Sequence, residues 1–279
     1  MYRCFKLSLN LWSFKNNDKR FVDNCRIYGS KLKEELANAF ASILSEAIDE
    51  NGVIAGENFI DSWFPTDNYD VFLSYSHDDE ELALLFVGFL KYQFDLNVFI
   101  DELFWGSADE LLRKLDNKYC KNDKGNYAYN KRNFTTTHVH AMLSTAIART
   151  INNSEIIIFL NSEKSTYKLK DEVNKNRTLS PWIYEEIFFT SVIGEREWYE
   201  HRTEYLTEGK NYFQKSLQIS YLLPDEHLIP LEYSDLCSWN ELWQERQKNS
   251  HICYGDIVLQ PNERIRHPLN VLYDLKCGY

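Results

Sequence analysis

Tyr69-Asp-Val-Phe-Leu-Ser-Tyr-Ser76 is the stretch that decides the fold. Four of the five residues from Val71 to Tyr75 are apolar or aromatic and none is Gly or Pro, so the run reads as a buried strand in the middle of a parallel sheet. It stops at His77-Asp-Asp-Glu-Glu81, where Ser76, with Asp79 three residues on, is placed to cap a helix. Leu82, Leu85, Phe86, Phe89, Leu90 and Phe94 then recur at helical spacing, which lays one apolar face of that helix on the sheet. Leu96-Asn-Val-Phe-Ile-Asp101 follows as a second strand. The pattern predicts a βαβ unit with a right-handed crossover. The polar ends of both strands then share the carboxyl edge, where open α/β sheets bind ligands.

Downstream, Val139, Leu143, Ala146, Ile147 and Thr150 continue as a helix. Glu155-Ile-Ile-Ile-Phe-Leu160 reads as the third parallel strand, ending in Asn161-Ser-Glu-Lys-Ser165 on the same edge. Ser180 caps a further helix with Pro181 at its first position, the place proline favours. Trp182 and Glu186 are four apart and share one face of it; Glu185 points about a hundred degrees away.

Composition bounds what such a chain does. With 279 residues and 44% hydrophobic content it can bury one good core and an appended subdomain. A net charge of −11 and a pI near 5.2 argue against broad nucleic-acid or anionic-membrane binding, since phosphate-neutralising cations are outnumbered. No run approaches the roughly 20 apolar residues of a membrane span, and the amino terminus lacks a signal-peptide pattern. A cytoplasmic protein is the expectation. Six cysteines show no Cys-x-x-Cys pair and read as free thiols. His138 and His140, and His251 near Cys253, have the two-residue spacing that shares one side of a strand, but no further ligand accompanies them. No metal is therefore expected.

Residues 1–29 mix aromatic and basic residues without a clear period. From Ser30, Leu32, Leu36, Phe40, Ile43, Leu44, Ala47 and Ile48 form a helical stripe that closes near Asn51-Gly52. Residues 52–68 read as a connector. After Asp101 comes a long excursion: Glu102-Leu-Phe-Trp-Gly106, a short helix over 108–118, then a polar stretch in which Tyr127, Tyr129 and Phe134 interleave with Lys131 and Arg132. Alternating aromatics and cations suit stacking on a base and holding a phosphate. They suit an ordinary surface excursion equally well. Beyond Phe189, Leu217–Leu223 and Leu228–Tyr233 read as strand segments, and Trp239, Leu242 and Trp243 as a closing helix. Leu269, Leu272 and Leu275 mark a last helix.

Asp70-Val-Phe-Leu-Ser-Tyr-Ser76, Val98-Phe-Ile-Asp101 and Ser180-Pro-Trp-Ile-Tyr-Glu-Glu186 together resemble the ordered motifs of a Toll/interleukin-1 receptor (TIR) domain. The resemblance covers roughly residues 68–247. Trp105-Gly-Ser-Ala-Asp-Glu-Leu and His138-Val-His-Ala-Met-Leu-Ser look most like bacterial TIR proteins of antiphage defence, Thoeris-type systems included. The resemblance implies a flavodoxin-like α/β sandwich over 67–247 with an insertion at about 102–137. An amino-terminal helical extension (1–66) and a carboxyl-terminal extension (248–279) packed on that body complete the expected organisation.

In TIR enzymes a tryptophan followed four residues later by a glutamate marks the catalytic carboxylate, a pattern Glu186 matches and Glu185 does not. The implied reaction is cleavage of the nicotinamide-ribose bond of NAD+, with NAD+ as substrate and no resident cofactor. Its product would be an ADP-ribose-derived signalling nucleotide, cyclic or conjugated. A fixed carboxylate suits that chemistry because positive charge develops on the ribose in the transition state. Trp182 would wall the site, and Ser74, Tyr75, Ser76, Asp101, Trp105 and Gly106 are the candidate substrate contacts. The resemblance further implies homo-oligomerisation on activation, a phage-derived trigger and a separate effector that senses the product. Two other readings stand beside it: a non-catalytic adaptor acting by self-association, and an effector that interferes with host TIR signalling. No Gly-x-Gly-x-x-Gly or P-loop is present, which disfavours a redox Rossmann site or an NTPase.

Overall fold

In a computed structural model, residues 1–14, 17–46, 69–100, 102–122, 124–167, 176–198, 201, 221–222, 225–249 and 267–278 are described. The chain runs β1 (Arg3–Ser8), α1 (Lys19–Glu46), β2 (Val71–Ser74), α2 (Glu80–Phe94), β3 (Val98–Ile100), α3 (Glu102–Tyr119), α4 (Tyr129–Asn153) and β4 (Ile156–Leu160). It continues with β5 (Arg177–Thr178), α5 (Pro181–Val192), β6 (Tyr221–Leu222), β7 (Ile229–Glu232), α6 (Tyr233–Asn249) and α7 (Pro268–Cys277). Five strands form one all-parallel sheet in the order β3-β2-β4-β1-β7. Helices cover both faces, an α/β architecture consistent with a flavodoxin-like sandwich. The short antiparallel pair β5-β6 stands apart from that sheet.

Period-two alternation sorts the strand residues into two cores. Phe5, Leu7, Val71, Leu73, Val98, Ile100, Ile156, Ile158 and Leu160 pack with α1, α2, α6 and α7 on one face. Cys4, Phe72, Phe99, Ile157 and Phe159 pack with α3, α4 and α5 on the other. On the first face Phe94 stacks on Trp239 at 4.0 Å, and the Trp239 indole N–H donates to the Pro268 carbonyl over 2.8 Å. This chain of contacts fastens the last two helices to α2. Trp239 is fully buried, so truncating it to alanine would cost about 3–5 kcal/mol.

The amino terminus departs from expectation. Residues 3–8 are not part of a helical extension but an interior strand, parallel to β4 on one side and β7 on the other. Arg3 and Lys6 hide this in the sequence, since an interior parallel strand is normally an unbroken apolar run. The structure accommodates both by pairing them, Arg3 with Glu195 at 2.6 Å and Lys6 with Asp225 at 3.0 Å. The helix expected from Ser30 begins earlier, at Lys19, and crosses α2 at close range. A Cβ on Gly29 would meet the Leu84 carbonyl, and one on Gly88 the Cys25 carbonyl. The connector over 52–68 lies outside the described residues, as do His251 and Cys253.

Two further expectations are corrected. Ser76 and Asp79 make no side-chain cap for α2; the Asp79 carboxylate instead accepts from the Ser162 hydroxyl and faces Lys164 Nζ at 3.6 Å. Asp79 thus ties the start of α2 to the loop after β4. The stretch after residue 101 is helical at once: α3 begins at Glu102, six residues before the helix expected from the sequence. Among the described residues no helix is long and apolar enough to cross a membrane.

Candidate active site

Ser180 caps α5 as its sequence predicts, its hydroxyl accepting from the Ile183 N–H over 3.3 Å with Pro181 in the first turn. That start fixes the helix so that Ile183 and Ile187 enter the core against the sheet. Glu186, between them, is carried in with 1% of its surface exposed. Facing it is Ser74, the last residue of β2 and itself wholly buried. Its parity matches Phe72, so it points toward α5. Ser74 Oγ donates to Glu186 Oε2 over 2.7 Å. A carboxylate is thereby held at the carboxyl end of a central strand, the place where sheets of this kind build sites.

One turn before Glu186, the half-buried Trp182 ring meets His140 of α4, centroids 5.1 Å apart and tilted at 55°. Burial pushes the His140 imidazole below its ordinary value of 6.5, against an upward pull from Asp109, so the ring is neutral at neutral pH. Four residues along α4, Ser144 binds the neighbouring carboxylate, Glu185. Burial raises the Glu185 carboxyl above the ordinary range and the Ser144 hydrogen bond opposes it. Two adjacent glutamates therefore serve different walls: Glu186 faces the sheet and Glu185 faces α4.

The other candidate contacts are dispersed. Tyr75 is buried in the opposite core, on the α1 and α2 face, because consecutive strand residues alternate. Ser76 is half-buried in the turn that leads to α2. Trp105 and Gly106 lie within helix α3 rather than in a loop, and Asp101 lies outside the described residues. In the sequence His140 is weighed only as a metal ligand and Ser144 enters only within the resemblance, neither as a site residue, although their four-residue spacing on a helix places both on the face that meets α5.

The aromatic and cationic stretch expected to be polar and irregular up to residue 137 is helical from Tyr129, so Tyr129, Lys131, Arg132 and Phe134 lie in the first turns of α4, and Tyr127 and Arg132 find partners close by. Tyr127 donates to Asn117 Oδ1 over 2.6 Å, and its ring lies 5.2 Å from the Arg132 guanidinium and 5.7 Å from Lys121 Nζ. Arg132 is also bound to Asp116 at 2.8 Å. His138 and His140 sit on helix α4, not on a strand. They turn to different partners, Phe134 and Trp182 respectively.

Asp70, Glu155 and His267 come together at the opposite, amino edge, with candidate ligand atoms within 4.8 Å of one another. Hydrogen bonding accounts for this cluster. His267 Nδ1 accepts from the Leu269 N–H (3.3 Å), which leaves the proton on Nε2, 3.3 Å from Asp70 Oδ1. Asp70 Oδ2 accepts from the Asn97 N–H (2.7 Å) and Glu155 Oε1 from the Tyr273 hydroxyl (2.6 Å). The trio joins the start of α7 to the residues that lead into β2 and β4.

Comparison of the chain with protein-family models, curated proteins and solved structures returns no match.

Proposed function

We propose that the protein is a TIR-type NAD+ nucleosidase or cyclase, with Glu186 as the catalytic carboxylate. The observation that carries this reading is the placement of Glu186: one helical turn after Trp182, on the sheet-facing side of α5, and bound by Ser74 at the carboxyl end of β2. Cleavage of the nicotinamide-ribose bond leaves the bond's electrons with nicotinamide and positive charge on the ribose. An ionised carboxylate fixed in a site of low dielectric stabilises that charge far better than one in water. Ser74 orients the carboxylate, and Trp182, braced by His140, shields the reacting ribose from solvent. Water, a hydroxyl of the same nucleotide or a second acceptor then takes C1′, giving ADP-ribose, a cyclic isomer or a conjugate. By the resemblance already drawn, the product signals to a separate effector in antiphage defence, in a cytoplasmic, self-associating protein activated by a phage-derived trigger.

Burial of Glu186 at 1% exposure favours a second reading, a TIR adaptor that works by self-association. Phe188 and Val192 on the outer side of α5, 42% and 58% exposed, suit such contacts. Incubating the concentrated protein with NAD+ and following nicotinamide by mass spectrometry separates the two. Release that rises more steeply than protein concentration supports an enzyme assembled from several copies, and the mass of the second product identifies the acceptor. Absence of nicotinamide at every concentration, together with concentration-dependent self-association, supports the adaptor.

A further inference from the structure

Residues 113–132 gather charge of one sign in a chain of the other. Arg113, Lys114, Lys118, Lys121, Lys124, Lys131 and Arg132 stand against two acids, a local net charge of +5 in a protein of −11. All seven cations are exposed, whereas Asp116 is buried and paired with Arg132 at 2.8 Å. Among the described residues Arg113, Lys124 and Lys131 have no carboxylate partner. A β-bridge pairs Lys121 with Tyr127, and the Ala128 N–H donates to the Cys120 carbonyl over 2.7 Å. The cations at the end of α3 and those at the start of α4 therefore share one corner of the molecule.

The same corner exposes aromatic rings. Tyr129 is 76% exposed and Phe134 66%, more than any other large hydrophobic side chain among the described residues, and Tyr127 is 44% exposed. Exposed apolar residues scattered singly need no explanation, but three aromatics set among cations within eight residues do. Lys131, Phe134 and His138 recur at i, i+3 and i+7 and are all exposed, so cation and ring share one face of α4. α4 also begins without a side-chain cap and without an acid in its first turn. Arg132 is offset there by Asp116, but Lys131 stands uncompensated at the positive end of the helix dipole, an arrangement that a bound anion relieves.

We propose that this corner of the α3–α4 hairpin binds single-stranded nucleic acid, with its cations on the phosphates and the rings of Tyr129 and Phe134 stacked on bases. Unpaired bases and their phosphates use both kinds of side chain. An acidic peptide uses the cations and leaves the rings idle, and so does a duplex, whose bases are already stacked inside it. The surface is open, so nothing has to move to admit the strand. The remainder of the chain is acidic and repels phosphate, which confines the contact to this corner. The proposal is independent of the NAD+ reading, since none of these residues belongs to the Glu186 site.

The test is fluorescence anisotropy with a labelled oligothymidylate and a labelled oligouridylate of about twelve nucleotides, within the usual site size. A duplex and a polyglutamate peptide of similar length serve as comparisons. At about 50 mM salt the wild type is expected to bind a single strand at least tenfold more tightly than the duplex or the peptide, with affinity falling as salt rises. The tighter of the two strands tells RNA from DNA. Tyr129→Ala and Phe134→Ala, at exposed positions outside the core, are each expected to weaken single-strand binding about fivefold or more. Lys131→Gln is expected to reduce the slope of log K against log salt by about 0.7. Leu179→Ala, at a residue 65% exposed elsewhere on the surface, should change nothing. Absence of single-strand binding overturns the proposal. So does binding that the duplex or the peptide matches, or binding that neither aromatic substitution weakens.

Discussion

Ser74 and Glu186, 112 residues apart in the chain, meet through a buried 2.7 Å hydrogen bond that joins the end of β2 to the middle of α5. The bond crosses the boundary between sheet and helix layer at the carboxyl edge, and both partners are sealed from solvent. Removing the hydroxyl takes one hydrogen-bond donor away from a buried carboxylate, which costs about 1–3 kcal/mol. Ser74→Ala is expected to lower unfolding stability by that amount in urea titrations. If Glu186 is catalytic, the same substitution lowers nicotinamide release by roughly 10–100-fold, or about 1.4–2.7 kcal/mol of barrier.

The α1–α2 crossing gives a stability test independent of function. At Gly88 an added methyl meets the backbone carbonyl of Cys25, which cannot rotate away as a side chain can. Gly88→Ala is expected to destabilise by about 1–3 kcal/mol or more through overpacking. Gly194, with open space around its would-be Cβ, is the control: Gly194→Ala should stay within about 0.5 kcal/mol of wild type.

Glu185 yields a pH prediction. Burial raises its carboxyl above the ordinary 4.5, so the folded state holds the proton more tightly than the unfolded chain. Its contribution to stability is full below pH 4.5 and is lost as pH rises through the folded value. Glu185→Gln lacks this titration. Denaturant unfolding should therefore show the variant gaining on wild type as pH rises above 4.5, with no gain below it.

His201 works in the opposite direction. Burial, with the Met1 amine and Arg196 cation adding to it, pushes the imidazole down from 6.5 to about 3. Across that interval the unfolded chain binds a proton and the native state does not, so stability falls on acidification from pH 6.5 toward 3. His201→Gln is expected to flatten this acid limb, as read from the pH dependence of the urea midpoint.

The elements that were legible in the sequence are those whose period and end signals agree. The β2-α2-β3 unit has unbroken apolar strands and a helical stripe, and all six stripe residues of α2 are buried. Ser180-Pro181 marks the start of α5, but the face expected to be shared by Trp182 and Glu186 divides: Trp182 and Glu185 meet α4, and Glu186 meets Ser74 of the sheet. β1 was illegible because Arg3 and Lys6 interrupt its apolar pattern, and the acids that pair them, Glu195 and Asp225, lie about two hundred residues away. Tyr75 was misplaced for a simpler reason: three consecutive strand residues cannot all face one site. His140 and Ser144 gave a helical signal, but its meaning depends on which helix lies opposite, and pairwise packing of α4 on α5 is not written in either segment alone.

Whether Glu186 is the catalytic carboxylate is decided by comparing three proteins on NAD+: wild type, Glu186→Gln and Glu185→Gln, with nicotinamide quantified by mass spectrometry. Release is expected from wild type and from Glu185→Gln, with a loss of at least a thousandfold in Glu186→Gln, about 4 kcal/mol of transition-state stabilisation. Equal release by wild type and Glu186→Gln would contradict it, as would a wild type that releases no nicotinamide.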